Sequence, residues 1–166
     1  MVLEAILKRR SIRDYTDQPV SDEQIRVLLE AAMAAPSAND WRPWHFVVVR
    51  DPDLRRGLAQ THPYASFCDR APVVFVVCGE EQRSPHWMVD GSAATENLLV
   101  QAAGMGLGGC WVACYPRAER EAHVRGLLNL PEALRVLCLA PLGYPAAPKA
   151  PRTRYEERCV HYDRFS

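Results

Sequence analysis

Apolar positions along the chain follow two patterns. Some recur every three to four residues and others form short uninterrupted runs, and the alternation of the two marks out the elements. Val2, Leu3, Ile6 and Leu7 lie at helical spacing, so a short amphipathic helix runs over 2–10 and ends in Lys8-Arg9-Arg10. Ser21 with Gln24 makes a capping signature ahead of Ile25, Leu28, Leu29, Ala32 and Met33, which predicts a helix stopped near Pro36. Trp44 to Arg50 reads as a buried strand ended by Asp51-Pro52, followed by a helix from Pro52 to about Gln60. Pro72 to Cys78 is a second buried strand, and Asp90 to Gly104 a long helix rich in small residues. Gly109 to Tyr115 is a third strand, Glu119 to Leu128 a helix, and Arg135 to Leu142 a fourth strand closed by Gly143. From Pro145 to Arg154 the chain is proline-rich and extended.

Helices and strands are interleaved with no repeat and no linker, which predicts one α/β or α+β domain over 1–166. A chain of this length buries roughly 70% of its unfolded surface and needs no staples. The last stretch does not fit that frame. About twenty residues after the fourth strand carry arginines and Val160, Tyr162 and Phe165 without a helical period. Something must bury them, and a second protomer is one candidate.

Composition narrows the function classes. Hydrophobic residues make up 48% and charged residues 24%, an ordinary globular balance. Twenty basic and twenty acidic residues cancel, which excludes a strongly basic nucleic-acid binder and gives no support for binding anionic membranes. No run approaches the ~18 apolar residues of a membrane span. The N-terminus meets its charges too early for a signal peptide. The six cysteines sit mostly in apolar runs, with no CxxC pair and no zinc spacing, and read as buried free thiols of a cytoplasmic protein. The basic residues are nearly all arginine, Lys8 and Lys149 being the two lysines.

Three segments carry candidate chemistry. Arg9-Arg10-Ser11-Ile12-Arg13 gathers three guanidinium groups and a hydroxyl just past a helix. Such a cluster clamps a phosphate, or plainly caps the negative end of the helix. Arg152 and Arg154 in the tail are a second pair suited to the same anion. The polar, proline-punctuated loop from Pro36 to Trp44 joins a helix to a strand, where ligand contacts concentrate; its plainer reading is a connection. Gly104, Gly106, Gly108 and Gly109 let the backbone approach something flat or turn sharply. They follow a helix and precede a strand, the reverse of the Rossmann order. A Cys-His pair from Cys110 or Cys114 with His86, His123 or His161 is a further, cheaper reading. Paired carboxylates such as Glu80-Glu81 read as solvated charges.

Taken in order, these segments resemble the nitroreductase family of FMN-dependent oxidoreductases over almost the whole chain. Arg9 to Arg13 is similar to the family's Arg-Arg-Ser-x-Arg signature, and Pro36 to Trp44 to its Pro-Ser-Ala-x-Asn-x-Gln-Pro-Trp loop. Asp90 to Asn97 is similar to its central helix, Gly106 to Trp111 to its glycine-rich turn, and Leu142 to Pro145 with Val160 to Tyr162 to its C-terminal end. The resemblance implies a three-layer α/β/α sandwich of the α+β class around a mixed, largely antiparallel sheet. It implies an intertwined homodimer with FMN at the interface, the tail from about 145 to 166 crossing to the partner subunit. By similarity, Arg9, Arg10 and Ser11 hold the FMN phosphate and ribityl chain, Arg152 or Arg154 closes on the phosphate, and Arg13 sits near flavin N1 and O2. Pro36, Ser37 and Ala38 come from the partner and touch the isoalloxazine. Trp111 to Cys114 pack along the ring, with the Ala113 and Cys114 backbone near N5.

Two positions depart from the family's loop: Asp40 replaces the usual Asn and Arg42 the usual Gln. Being two apart, they are expected to pair. An ionised Asp40 at the flavin O2 edge would instead disfavour the anionic reduced flavin. The implied activity is hydride transfer from NADH or NADPH through the flavin to a nitroaromatic or quinone, in ping-pong order and without an essential side-chain acid. The chain is short and has little room for inserted lid helices. A specialised relative, dehalogenase-like or flavin-fragmenting, and a non-catalytic FMN-binding protein are the alternatives.

Overall fold

In the computed structural model, which describes residues 1–165, the runs of apolar residues become the centre of one sheet. Strand β2 (Val73–Glu80) is buried at every position except its last. Val74, Val76 and Cys78 turn to one face and Val73, Phe75 and Val77 to the other, the two-residue alternation of a strand covered on both sides. It lies between β1 (Trp44–Val49) and β5 (Leu134–Gly143), and both pairings are antiparallel. Two short strands, β3 (Gly108–Gly109) and β4 (Val112–Ala113), also pair antiparallel with β5. An isolated parallel bridge joins Ser11 to Gly109.

Helices cover both faces. On one lie α2 (Asp22–Met33) and α4 (Trp87–Gly104), whose Leu28, Ala32, Ala94 and Leu98 pack with Phe75 and Ala140. On the other lie α3 (Pro52–Ala59) and α5 (Ala118–Leu128), whose Leu58 and Val124 pack with Val74, Val76 and Val136. Each such leucine, valine or phenylalanine contributes about 1.5–3 kcal/mol by leaving water. The result is the expected three-layer α+β sandwich. The first helix, α1 (Glu4–Lys8), is short and leaves Val2, Leu3 and Ile6 exposed.

The Ser21 cap forms as a full capping box, Gln24 N–H donating to Ser21 Oγ at 3.1 Å and Ser21 N–H to Gln24 Oε1 at 3.0 Å. Three features differ from expectation. Helix α4 begins at Trp87, three residues before Asp90, because Ser84 organises the turn ahead of it: Trp87 N–H donates to the Ser84 carbonyl and His86 N–H to Ser84 Oγ. The third strand is interrupted at Cys110 and Trp111, opposite Pro141 of β5, which has no N–H to give the ladder. A 3-10 turn at Pro63–Cys68, too short for a sequence period, closes the second face with Ala65 and Phe67.

The tail is tied to the body at two backbone points, Ala146 N–H to the Asp14 carbonyl and Arg152 N–H to the Leu7 carbonyl. Beyond them Tyr155, Tyr162 and Phe165 are exposed. Among the described residues no helix is long and apolar enough to cross a membrane.

Candidate functional site

Helix α1 stops at Lys8, and Arg9 turns the chain into an extended path. Ile12 anchors that path: its N–H donates to the Gly109 carbonyl at 2.9 Å, and its side chain lies where a Cβ on Gly108 would sit, 2.3 Å away. Only glycine permits this approach. At neighbouring Gly109 a Cβ would meet the Pro141 carbonyl at 2.9 Å, and Gly106 has φ +76°. Three of the four glycines are therefore used, Gly108 to let the Arg9–Arg13 segment lie against the sheet, Gly109 to let its own strand lie close to β5, and Gly106 to turn.

The arginines consequently gather around a cleft of about 330 Å³ built from Gly104, Gly106 and Gly108. Lys8, Arg9, Arg10 and Lys149 line it, while Arg152 and Arg154 share an adjoining cleft with Arg9. Lys149 Nζ donates to the Ser11 carbonyl at 2.8 Å, Arg10 donates to the Ala150 carbonyl, and Arg9 pairs with Glu96 at 3.2 Å. The Arg152 guanidinium is held below its ordinary range by desolvation and then by the like charges of Arg10, Arg154 and Arg9. Cations this crowded call for an anion, and planar guanidinium forks with an ammonium suit a phosphate. The first and third sequence segments and the tail thus meet in one place.

Ser11 and Arg13 lie beside the Cys110 thiol, which donates to the Trp111 carbonyl at 3.6 Å. Arg13 lines a second cleft of about 490 Å³ with Phe67, Trp111 and Ala113, its guanidinium 5.8 Å from the Phe67 ring centroid. Cys114 does not line this cleft. Its side chain is buried, and its N–H donates to the Leu137 carbonyl at 3.1 Å.

The Pro36–Trp44 loop is elsewhere. Ala38–Asp40 forms a 3-10 turn in which Asn39 and Asp40, and then Arg42, have positive φ, an unfavourable conformation for side chains with a Cβ. Asp90, buried at the start of α4, holds it by accepting the Ala38 N–H at 3.1 Å, and Ser84 supports the same carboxylate at 3.2 Å. Asp40 and Arg42 pair, as their spacing led us to expect. Pro36, Ser37 and Ala38 line an apolar hollow with Val89 and Ala93. The arginine cleft adjoins Leu99 and Ala103. The two halves therefore lie toward opposite ends of α4, about 15–20 Å apart at 1.5 Å per residue.

Lys149, Asp90, His62 and Arg120 were not singled out in the sequence. Lys149 had a signal, as one of two lysines. Asp90 opened the expected helix without an assigned role. Nothing local marked the other two.

The five buried thiols are not suited to act as nucleophiles. Burial pushes Cys68, Cys78 and Cys114 up to about 12 and raises Cys110 and Cys138 as well, against the lowered pKa a reactive thiol needs. Because the folded state keeps these protons while the unfolded chain loses them above the ordinary 9.0, stability falls as pH rises from about 9 toward 12. An aromatic disulfide reagent is expected to label Cys159, the exposed thiol, in the native protein and all six cysteines after denaturation. Rapid native labelling of a second thiol would contradict this burial.

The model of the nitroreductase family matches residues 6–62 and 59–144. A protein of Methanothermobacter thermautotrophicus, provisionally named a NADH dehydrogenase/NAD(P)H nitroreductase, is 40% identical over 99% of this chain and 87% of its own. The crystal structure of a similarly named protein from Bacteroides thetaiotaomicron superposes with a TM-score of 0.94 at 42% identity, covering 96% of this chain and 95% of that one. An FMN-dependent nitroreductase from Clostridium difficile superposes with a TM-score of 0.93 at 30% identity, covering 97% and 98%.

Proposed function

Because this chain belongs to the nitroreductase family, we propose that it is an FMN-dependent oxidoreductase that moves a hydride from NADH or NADPH to an electron-poor acceptor, a nitroaromatic or quinone, in ping-pong order. The observation that carries the reading is the crowding of Lys8, Arg9, Arg10 and Lys149 around a glycine-built cleft, with Arg152 in the adjoining one, in a chain of zero net charge. That donor set fits the phosphate of FMN. The flat, partly aromatic cleft beside Arg13 fits its ring.

When bound, FMN supplies the hydride chemistry itself. The chain binds and orients. Arg9, Arg10 and Ser11, with Lys149 and Arg152 or Arg154, hold the phosphate and sugar-alcohol end. Arg13 places a fixed positive charge at the ring cleft, which favours electron density arriving there. Trp111 forms a wall, and the small side chain of Ala113 keeps one face open to donor and acceptor in turn. The Ala113 backbone, which lines the cleft, would lie at the ring, while Cys114 supports the strand from the core. The five buried free thiols suit a reducing, cytoplasmic setting.

The site takes two chains. Within one chain Pro36, Ser37 and Ala38, with Asp40 on the same loop, line a hollow of their own and share neither the arginine cleft nor the cleft beside Arg13. Two copies with their α4 helices side by side and antiparallel set the loop of each against the arginines of the other. The exposed Val2 and Leu3 ahead of α1, Ile6 on α1, Met88 and Val89 on α4, and Tyr155, Tyr162 and Phe165 in the tail support such a homodimer, because a second copy would cover them.

The test is FMN dependence. Protein stripped of flavin is expected to bind one FMN per chain. It should oxidise NADH or NADPH with an added nitroaromatic or quinone only after that binding. Oxidation at the same rate without flavin, or no FMN binding at all, would overturn the reading.

A further inference from the structure

We propose that the Arg13 cleft selects an aromatic acceptor that carries a negative charge, a carboxylate or sulfonate, and that Arg120 is the specificity-determining residue. The inference rests on the oxidoreductase reading of the same site.

The lining of this cleft departs from the balance of the chain. Acidic and basic residues are equal in number overall, yet the cleft has two guanidinium groups, Arg13 and Arg120, and no carboxylate. Three aromatic side chains, Tyr64, Phe67 and Trp111, supply flat apolar surface between them. A planar ring with an anionic substituent matches what a bound flavin would leave open: the ring would lie against the flavin with Tyr64 at its edge, and the anion would meet the Arg120 guanidinium fork.

Arg120 is held in place for this. It sits in the first turn of α5, and its Nη1 donates to the Ala113 carbonyl at 2.9 Å. The head group is thereby fixed to the cleft wall at the residue proposed to face the flavin. Its remaining N–H groups stay available, and it makes no ion pair among the described residues. Arg13, by contrast, lies over Phe67 and beside the Cys110 thiol.

His62 sharpens the assignment. Its Nδ1 accepts the Tyr64 N–H at 3.1 Å, so that nitrogen carries no proton. Burial, and then the charge of Arg120, lowers its pKa and keeps the ring neutral. On the wall formed by His62, Tyr64 and Arg120, the positive charge is therefore that of Arg120 alone. Tyr64 is 82% exposed and leaves the way in open.

NADH and NADPH are anions too, so the test separates donor from acceptor. The FMN-loaded protein, Arg120→Gln and Arg120→Lys are compared with para-nitrobenzoate and the neutral para-nitrobenzamide, and the ratio of the two kcat/KM values is read. Replacing charge by a neutral amide is expected to lower that ratio about tenfold, mostly through KM, and Arg120→Lys to restore most of it. The wild-type ratio should also fall as salt is added. Binding of unreactive benzoate over benzamide, measured by calorimetry, should weaken in parallel.

An unchanged ratio in Arg120→Gln would overturn the proposal. So would an equal loss with both acceptors, the mark of an arginine that merely holds Ala113. A slowed reduction by NADH or NADPH with the acceptor ratio intact would assign the anion to the donor instead. Failure of the oxidoreductase reading looks different. No acceptor would then be turned over, while the benzoate and benzamide comparison would still decide this proposal.

Discussion

Two variants, each unable to retain FMN alone, are expected to restore each other when mixed. The first is Arg9→Glu, which reverses a charge in the cluster at the C-terminal end of α4. The second is Ala38→Tyr, which puts a ring into the hollow that Ala38 shares with Val89 and Ala93 at the other end of the helix. Losing a charge-assisted contact to phosphate costs about 1.5–3 kcal/mol, a tenfold or greater loss of affinity, and the reversed charge adds to that. If each site draws one half from each chain, a mixed dimer places both defects in one site and leaves the other intact. Random exchange makes half of the dimers mixed, so about one quarter of the sites should bind FMN again. A site contained in one chain allows no such recovery, and a mixture that stays empty would refute the two-chain arrangement.

The second large effect concerns stability. Glu121 on α5 is buried, and its carboxylate accepts two bonds from Arg135 of β5, at 2.9 and 3.0 Å, and one from the Val136 N–H at 3.3 Å. Arg135 also reaches Glu81 at 2.7 Å and lies over the rings of Trp87 and Tyr115, 5.6 and 5.2 Å from their centroids. These carboxylates hold the guanidinium above its ordinary range. Arg135→Met strands a buried carboxylate, at a cost of about 3–5 kcal/mol. For a domain of this size the melting temperature should drop by about 10 °C or more. Removing both partners, Glu121→Leu with Arg135→Met, should recover most of that loss, because no charge is then left unpaired. Thermal unfolding of the two single variants and the double variant forms the cycle. A near-neutral Arg135→Met would show that the pair is solvated rather than buried.

The same network marks where the sequence could be read and where it could not. The runs Val73–Val77 and Leu134–Leu142 announce strands through composition alone, and Ser21 with Gln24 announces α2 through a pair of reciprocal bonds three residues apart. Local physics decides these elements. The meeting of Glu121 with Arg135, or of Ala38 with Asp90, depends on chain packing across 14 and 52 residues, which leaves no trace in either neighbourhood. The same division runs through the site. Arg9 to Arg13 stood out because three cations in five residues are conspicuous. Arg120 and His62 did not, because each is an ordinary residue until α5 and the Pro63–Cys68 turn bring them to one wall. Pro141 gave the opposite lesson: the third strand breaks opposite a missing N–H that lies on a different strand.

The central claim is that this chain binds FMN and passes it a hydride from a nicotinamide nucleotide. The direct measurement is the visible absorption of the FMN-loaded protein during stepwise addition of NADH or NADPH without oxygen and without acceptor. The flavin absorption should fall in proportion to the nucleotide added, reach its end at one equivalent per FMN, and return when a nitroaromatic or quinone follows. Flavin absorption that persists through excess NADH and NADPH would contradict the account.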